Sequence, residues 1–176
     1  MTHNTTKEVI VTTFKELVHR QSLSAVKVSD ICIECSINRK SFYYYFKDKY
    51  DLICSIFSNE FIYSCNTDTY DDIFDFLLDM CTYFENNKKF YRKVFKCNEE
   101  NPFSIFFADL LFKVSQSYLD KAYYEDDKEF YIDFFADALF NSIRKWICSD
   151  AEHNAYEFVT HMRKCVFVGF NEEKHE

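Results

Sequence analysis

Residues 38–49 combine two adjacent cations, a run of three phenols and a further lysine: Arg39, Lys40, Tyr43, Tyr44, Tyr45 and Lys49. Asn38 is a good N-cap, so the pattern predicts a helix from there to about Tyr45. Such a helix turns Arg39, Lys40, Ser41 and Tyr44 outward and Phe42 and Phe46 inward. Its N-terminus carries the positive end of the helix dipole, which suits a polyanion. Arg39 and Lys40 can reach guanine edges or phosphates in a DNA major groove. Tyr43 and Tyr45 offer hydroxyls to phosphate oxygens, contacts that fix register and do not read sequence. Lys49 opens the next helix behind the cap residue Asp48 and can clamp the nucleic-acid backbone. Lys27 and Ser29, at the start of the preceding short helix, complete the expected DNA-contacting set with Asn38.

Other chemistry-bearing residues point nowhere as sharply. Cys32 and Cys35 form a CxxC inside a predicted helix, with no second CxxC or CxxH, and read as packing, not as metal or redox chemistry. His161 and Cys165 lie one helical turn apart, too few ligands for a zinc site. The acid pairs Asp75/Asp79 and Asp133/Asp137 sit at i, i+4 and read as solvated helix faces. No Ser/His/Asp order or HExxH stands out, so no enzyme is expected and no cofactor or metal.

The elements that must position these residues are helices. The 176 residues hold one Gly and one Pro, where an average chain has about 7% and 5%. Gly-rich phosphate loops are thereby excluded, and folds with many tight turns are disfavoured. A 48% hydrophobic, 20% aromatic chain has ample core material. The periodicity predicts helices over 5–20, 28–35, 38–45, 49–64, 71–86, 88–97, 103–123, 128–148 and 152–170. Pro102 is expected at a first helical position and Gly169 near a helix C-cap. The start shows no signal-peptide pattern and no apolar run is long enough for a membrane span. With eight cysteines, the expectation is reduced thiols in the cytoplasm and no membrane.

Charge is divided unevenly. Residues 1–50 carry eight basic and five acidic residues, a net +3, and residues 51–176 a net −11. An acidic chain with a basic N-terminal segment is suited to bind a polyanion at one end. Three short helices followed by a longer one give the layout of a helix-turn-helix.

The segment VSDICIECSINRKSFYYYFKDKYDLI, residues 28–53, resembles the TetR family signature. In register are Asp30-Ile31, Cys32, Cys35, Ile37, Ser41, Phe42, Tyr43, Tyr45, Phe46, Lys49 and Leu52. Ser36 stands where the family usually has Gly in the turn, and serine adopts the left-handed conformation at a cost of about 1 kcal/mol. Downstream, ENNKKFYRKVF with a loop and NPFSIFF resembles the DhaS-like branch of TetR-type regulators. The resemblance implies an all-α fold with an N-terminal DNA-binding domain over 1–48. A C-terminal regulatory and dimerisation domain would cover 49–176, with the helix 49–64 linking the two. It further implies a homodimeric repressor on a palindromic double-stranded operator, released by a small-molecule effector. The alternative is a TetR-like co-activator or interaction module working through a partner protein.

In the family the last two helices of each subunit form the dimer. Here their apolar stripes are Phe134, Phe135, Ala138, Leu139, Ser142 and Trp146, then Phe158, Val159, Met162, Cys165 and Val166. The same stripes would also serve a monomer core. Phe84, Tyr91, Phe95, Phe103 and Phe107 are the expected lining of a ligand pocket, or else filled core. Lys88, Lys89, Arg92, Lys93 and Lys96 give one helix a basic face, either solvated or a site for an anion or partner protein.

Overall fold

A computed structural model describes residues 5–65, 70, 72–97, 101–119, 127–150 and 153–170, with side chains as far as Val166. The described residues are all-α, with no strand among them. The helices are α1 (Thr6–Arg20), α2 (Val28–Glu34), α3 (Arg39–Tyr45), α4 (Lys49–Glu60), α5 (Ile73–Asn86), α6 (Lys88–Phe95), α7 (Pro102–Leu119), α8 (Lys128–Cys148) and α9 (Ala155–Phe170). A 3-10 turn, Ile62–Ser64, follows α4. No described helix is long and apolar enough to cross a membrane.

The chain divides into two compact units. The first contains residues 1–65 and 89–109, the second residues 66–88 and 110–176. In the first unit, a capping box starts α1. Thr5 Oγ1 accepts from the Glu8 amide at 3.3 Å, and the Glu8 carboxylate accepts from the Thr5 amide at 2.7 Å. The buried stripe of α1 is Ile10, Phe14, Leu17 and Val18, a helical spacing. Phe14 meets Phe90 of α6 edge-on at 6.0 Å. Phe57 of α4 is the hub of the aromatic core: its ring lies edge-on to Tyr91 at 6.2 Å, Phe103 at 5.6 Å and Phe107 at 6.0 Å. Asp48 caps α4, accepting from the Tyr50 and Asp51 amides at 2.7 and 2.8 Å.

The predicted helix 49–64 stops at Glu60. Ser64 Oγ donates to the Phe61 carbonyl at 2.6 Å and the Glu60 carbonyl at 3.3 Å, a local side-chain bond that competes with the helical ladder. Pro102 opens α7, where its missing N–H is not needed. The predicted stretch 103–123 is helical to Leu119; its last residues, and the loop Asn98–Glu100, lie outside the described residues.

In the second unit, Trp146 of α8 stacks on Phe158 of α9 with centroids 4.8 Å apart and planes 6° from parallel. Its indole N–H donates to the His153 carbonyl at 2.9 Å. Asn154 and Glu157 form a reciprocal cap at the start of α9, which begins at Ala155 and not at the predicted 152. Arg163 of α9 pairs with Asp72, the cap of α5, at 2.6 Å. Gly169 lies one residue before the end of α9 at Phe170, and the residues beyond it lie outside the described ones.

Candidate nucleic-acid interface

The turn between α2 and α3 sets the start of α3, and it is built without glycine. Ser36 takes a left-handed φ of 53°. Its N–H donates to the Ile33 carbonyl at 3.1 Å, and the Ile37 N–H to the Cys32 carbonyl at 3.0 Å. Those two bonds make a Schellman motif with serine at the position glycine prefers. They satisfy the end of α2 and offset the steric cost of the serine. Cys32 is buried under this turn, and burial, with neighbouring Cys35 adding to it, raises its thiol pKa. A buried protonated thiol fits the packing reading of the CxxC.

Asn38 then caps α3. Its side-chain oxygen accepts from the Ser41 amide at 2.8 Å and from the Ser41 hydroxyl at 3.1 Å. Both residues are engaged in holding the helix start. Phe42 and Phe46 are buried, with rings 5.8 Å apart, and fasten the seven-residue helix to the unit. On the other side Arg39 and Lys40 are exposed, and Tyr43, Tyr44 and Tyr45 are 54%, 80% and 39% exposed. Tyr43 packs edge-on to Phe42 at 5.5 Å and Tyr45 edge-on to Tyr44 at 4.9 Å. These contacts limit where the phenols point.

The outer members of the expected set behave differently. Lys27 is exposed; its amide donates to Asp30 at 2.9 Å. Ser29 is half-buried, its hydroxyl 3.4 Å from Asp30. Lys49, expected as a phosphate clamp, is turned inward. Its ammonium donates to the carbonyls of Leu23 at 3.0 Å, Ser24 at 3.4 Å and Val26 at 3.1 Å. This lysine ties three carbonyls of the α1–α2 connection to the start of α4. Two nearby cations escaped the sequence reading. Lys7 lies 5.9 Å over the Phe46 ring at the far end of α3, and Lys47 is exposed between α3 and α4. Lys7 is marked only by its closeness in space to α3, whereas Lys47 directly follows the α3 cap Phe46.

The five expected pocket rings are all buried. Tyr91, Phe95, Phe103 and Phe107 belong to the first unit and pack on one another at 5.4–6.0 Å, and Tyr91, Phe103 and Phe107 also meet Phe57. Phe84 belongs to the second unit, 5.8 Å from Tyr83. Of the expected dimer residues, Trp146 and Val159 are buried within the chain's own second unit. Trp146 is covered by its stack on Phe158. Phe134 is 57% exposed and stacks on the equally exposed Phe130 at 6.3 Å. Ala138 is exposed, and Phe135, Leu139, Ser142, Phe158, Met162 and Val166 are half-buried. Among the described residues no three metal-ligating side chains converge.

Known proteins give the same pattern. Residues 10–56 match the model for bacterial regulatory proteins of the tetR family, and residues 71–167 match a transcriptional regulator C-terminal region. The HTH-type dhaKLM operon transcriptional activator DhaS of Lactococcus lactis is 34% identical over 113 residues. That match spans 62% of this chain and 60% of the relative. A solved structure of a dihydroxyacetone kinase operon activator DhaS shares the fold at a TM-score of 0.67 and 24% identity, over 93% of this chain and 95% of that one. The fatty acid degradation regulator FadR of Bacillus halodurans does so at 0.60 and 15%, with the same coverage. The C-terminal model alone spans more than half of the sequence, and the chain belongs to the TetR family of transcriptional regulators.

Proposed function

We propose that this regulator is a homodimer that binds a palindromic operator by placing α3 in the major groove. The observation that carries the reading is the two-sidedness of α3: Phe42 and Phe46 buried behind, Arg39, Lys40 and the three tyrosines exposed in front. Arg39 and Lys40 serve as base-edge or phosphate contacts, and Tyr43 and Tyr45 as phosphate contacts. The exposed Phe130–Phe134 pair on α8 supports a second copy as the covering partner of that helix. In this reading the protein represses neighbouring genes in the cytoplasm, and a small-molecule effector releases it. The boundary between DNA-binding and regulatory functions falls near the start of α4.

A second reading is favoured by the printed role of the Lactococcus relative, a transcriptional activator. Here the same operator contact raises transcription, acting through a partner protein. A gel-shift on the gene's own upstream DNA, over a salt series, tests DNA binding. A specific complex that Arg39→Ala weakens is the expected result, and no specific complex at any salt overturns it. Transcript levels in a deletion strain then separate the readings: a rise means repression, a fall activation.

A further inference from the structure

The first unit holds more than the N-terminal helices: residues 89–109 belong to it as well. Phe90 and Tyr91 of α6 are buried there, edge-on to Phe14 of α1 at 6.0 Å and to Phe57 of α4 at 6.2 Å. From this anchored helix the half-buried Lys93 reaches the end of α1. We infer that Lys93, although outside the helix-turn-helix, is a positioning residue for operator recognition. The inference rests on the proposed function.

The last carbonyls of a helix have no partner within it, and the helix dipole is negative there. At the end of α1 the Gln21 N–H donates to the Leu17 carbonyl at 3.0 Å. The Lys93 ammonium takes the following ones, Val18 at 2.7 Å and His19 at 2.9 Å, and then Gln21 at 3.1 Å. Its three hydrogens are thereby engaged in the fold and not in a DNA contact. Residues 21–27 carry the chain on into α2. Within them Ala25 N–H donates to the Ser22 carbonyl at 3.1 Å and Val26 N–H to the Leu23 carbonyl at 3.3 Å. The Leu23 and Val26 side chains are buried. Lys49 binds the far end of this segment, at Leu23, Ser24 and Val26. Lys93 therefore fixes where the loop leaves α1, and Lys49 where it enters α2.

Lys27 follows directly as the cap residue of α2, with its amide on Asp30 at 2.9 Å, and Ser29 stands two positions on. The carbonyls of Cys32 and Ile33 in α2 hold the turn into α3. A loop displaced at Gln21 shifts α2 and α3 against the DNA and leaves their exposed side chains on the same helix faces. An operator tolerates such a shift poorly, because its phosphate contacts set the register in which bases are read. Non-specific DNA has no register to lose. Loss of positioning therefore differs from loss of charge, which weakens both kinds of binding.

The test is a gel-shift of the full chain on the gene's own upstream DNA and on a scrambled duplex, at one salt concentration. Lys93→Met should bind the operator about tenfold more weakly, the worth of one well-placed base contact, and the scrambled duplex as the parent does. Lys93→Arg, which keeps a cationic donor, should recover most of the operator affinity. Lys89→Met, which removes an exposed charge from the same helix, should bind both duplexes as the parent does. Circular dichroism establishes that Lys93→Met is folded; Lys93→Gln is the second variant. Amide exchange over residues 21–27 should quicken in Lys93→Met and not in Lys89→Met. A merely structural lysine would lower the melting temperature and leave the affinity of the folded protein unchanged. Undiminished operator binding by the folded variants therefore overturns the inference. An equal fall on both duplexes, a fall that Lys89→Met or Lys93→Arg shares in full, or unchanged exchange does the same. A parent chain with no specific complex overturns the proposed function and the inference with it, whereas a parent complex that Lys93→Met leaves intact overturns the inference alone.

Discussion

The ammonium of Lys93 donates to the main-chain carbonyl of Val18 at 2.7 Å, across 75 residues of sequence. Together with Lys49 it closes six carbonyls of the 18–26 segment, three each. Both lysines come from elsewhere in the chain. The loop that leads into α2 is therefore held by two positive charges.

Lys93→Met keeps the aliphatic stem and removes the three bonds. Hydrogen bonds to charged groups contribute about 1.5–3 kcal/mol, so a loss of about 2 kcal/mol is expected. Urea unfolding with an unchanged slope measures it.

Lys40 and Lys49 should separate cleanly. Lys40→Ala removes an exposed charge from α3; operator affinity should fall and the salt dependence of log K should lose about one unit of slope. Lys49→Met should leave that slope unchanged and lower stability by about 2 kcal/mol, since its ammonium is engaged in the fold. Filter binding at several salt concentrations, beside urea melts, gives both numbers.

Ser36→Gly should stabilise the protein by about 1 kcal/mol. It removes the left-handed penalty at φ 53° while keeping both bonds of the turn. Ser36→Val should destabilise by more than that, because a branched Cβ is worse placed there. Thermal melts of the two variants should move in opposite directions.

Phe134→Glu places a charge on the exposed aromatic pair of α8. Light scattering should show a dimer for the parent chain and a shift to monomer for the variant. A variant that remains dimeric would place the interface elsewhere.

The sequence was a good guide wherever a local rule decides the outcome. Asn38 and Asp48 are caps, Phe42 and Phe46 face inward, and Pro102 opens a helix. Each follows from side-chain chemistry within four or five positions. What the pattern hid depends on partners far along the chain. Lys49 has the spacing of a phosphate contact, yet its partners lie 23–26 residues earlier. Trp146 sits on a stripe that suits either a core or an interface, and its stack on Phe158 and its bond to the His153 carbonyl cannot be read from that spacing.

Successive helical residues are about 100° apart around the axis. With Phe42 and Phe46 anchored below, Tyr44 projects from the crest of α3 and Tyr43 and Tyr45 from its two shoulders, as their exposures reflect. The helix is thus rimmed by phenols on three sides of its cross-section. A flat protein surface could meet the crest and one shoulder at most. A trough about 12 Å wide, the width of the major groove, encloses all three.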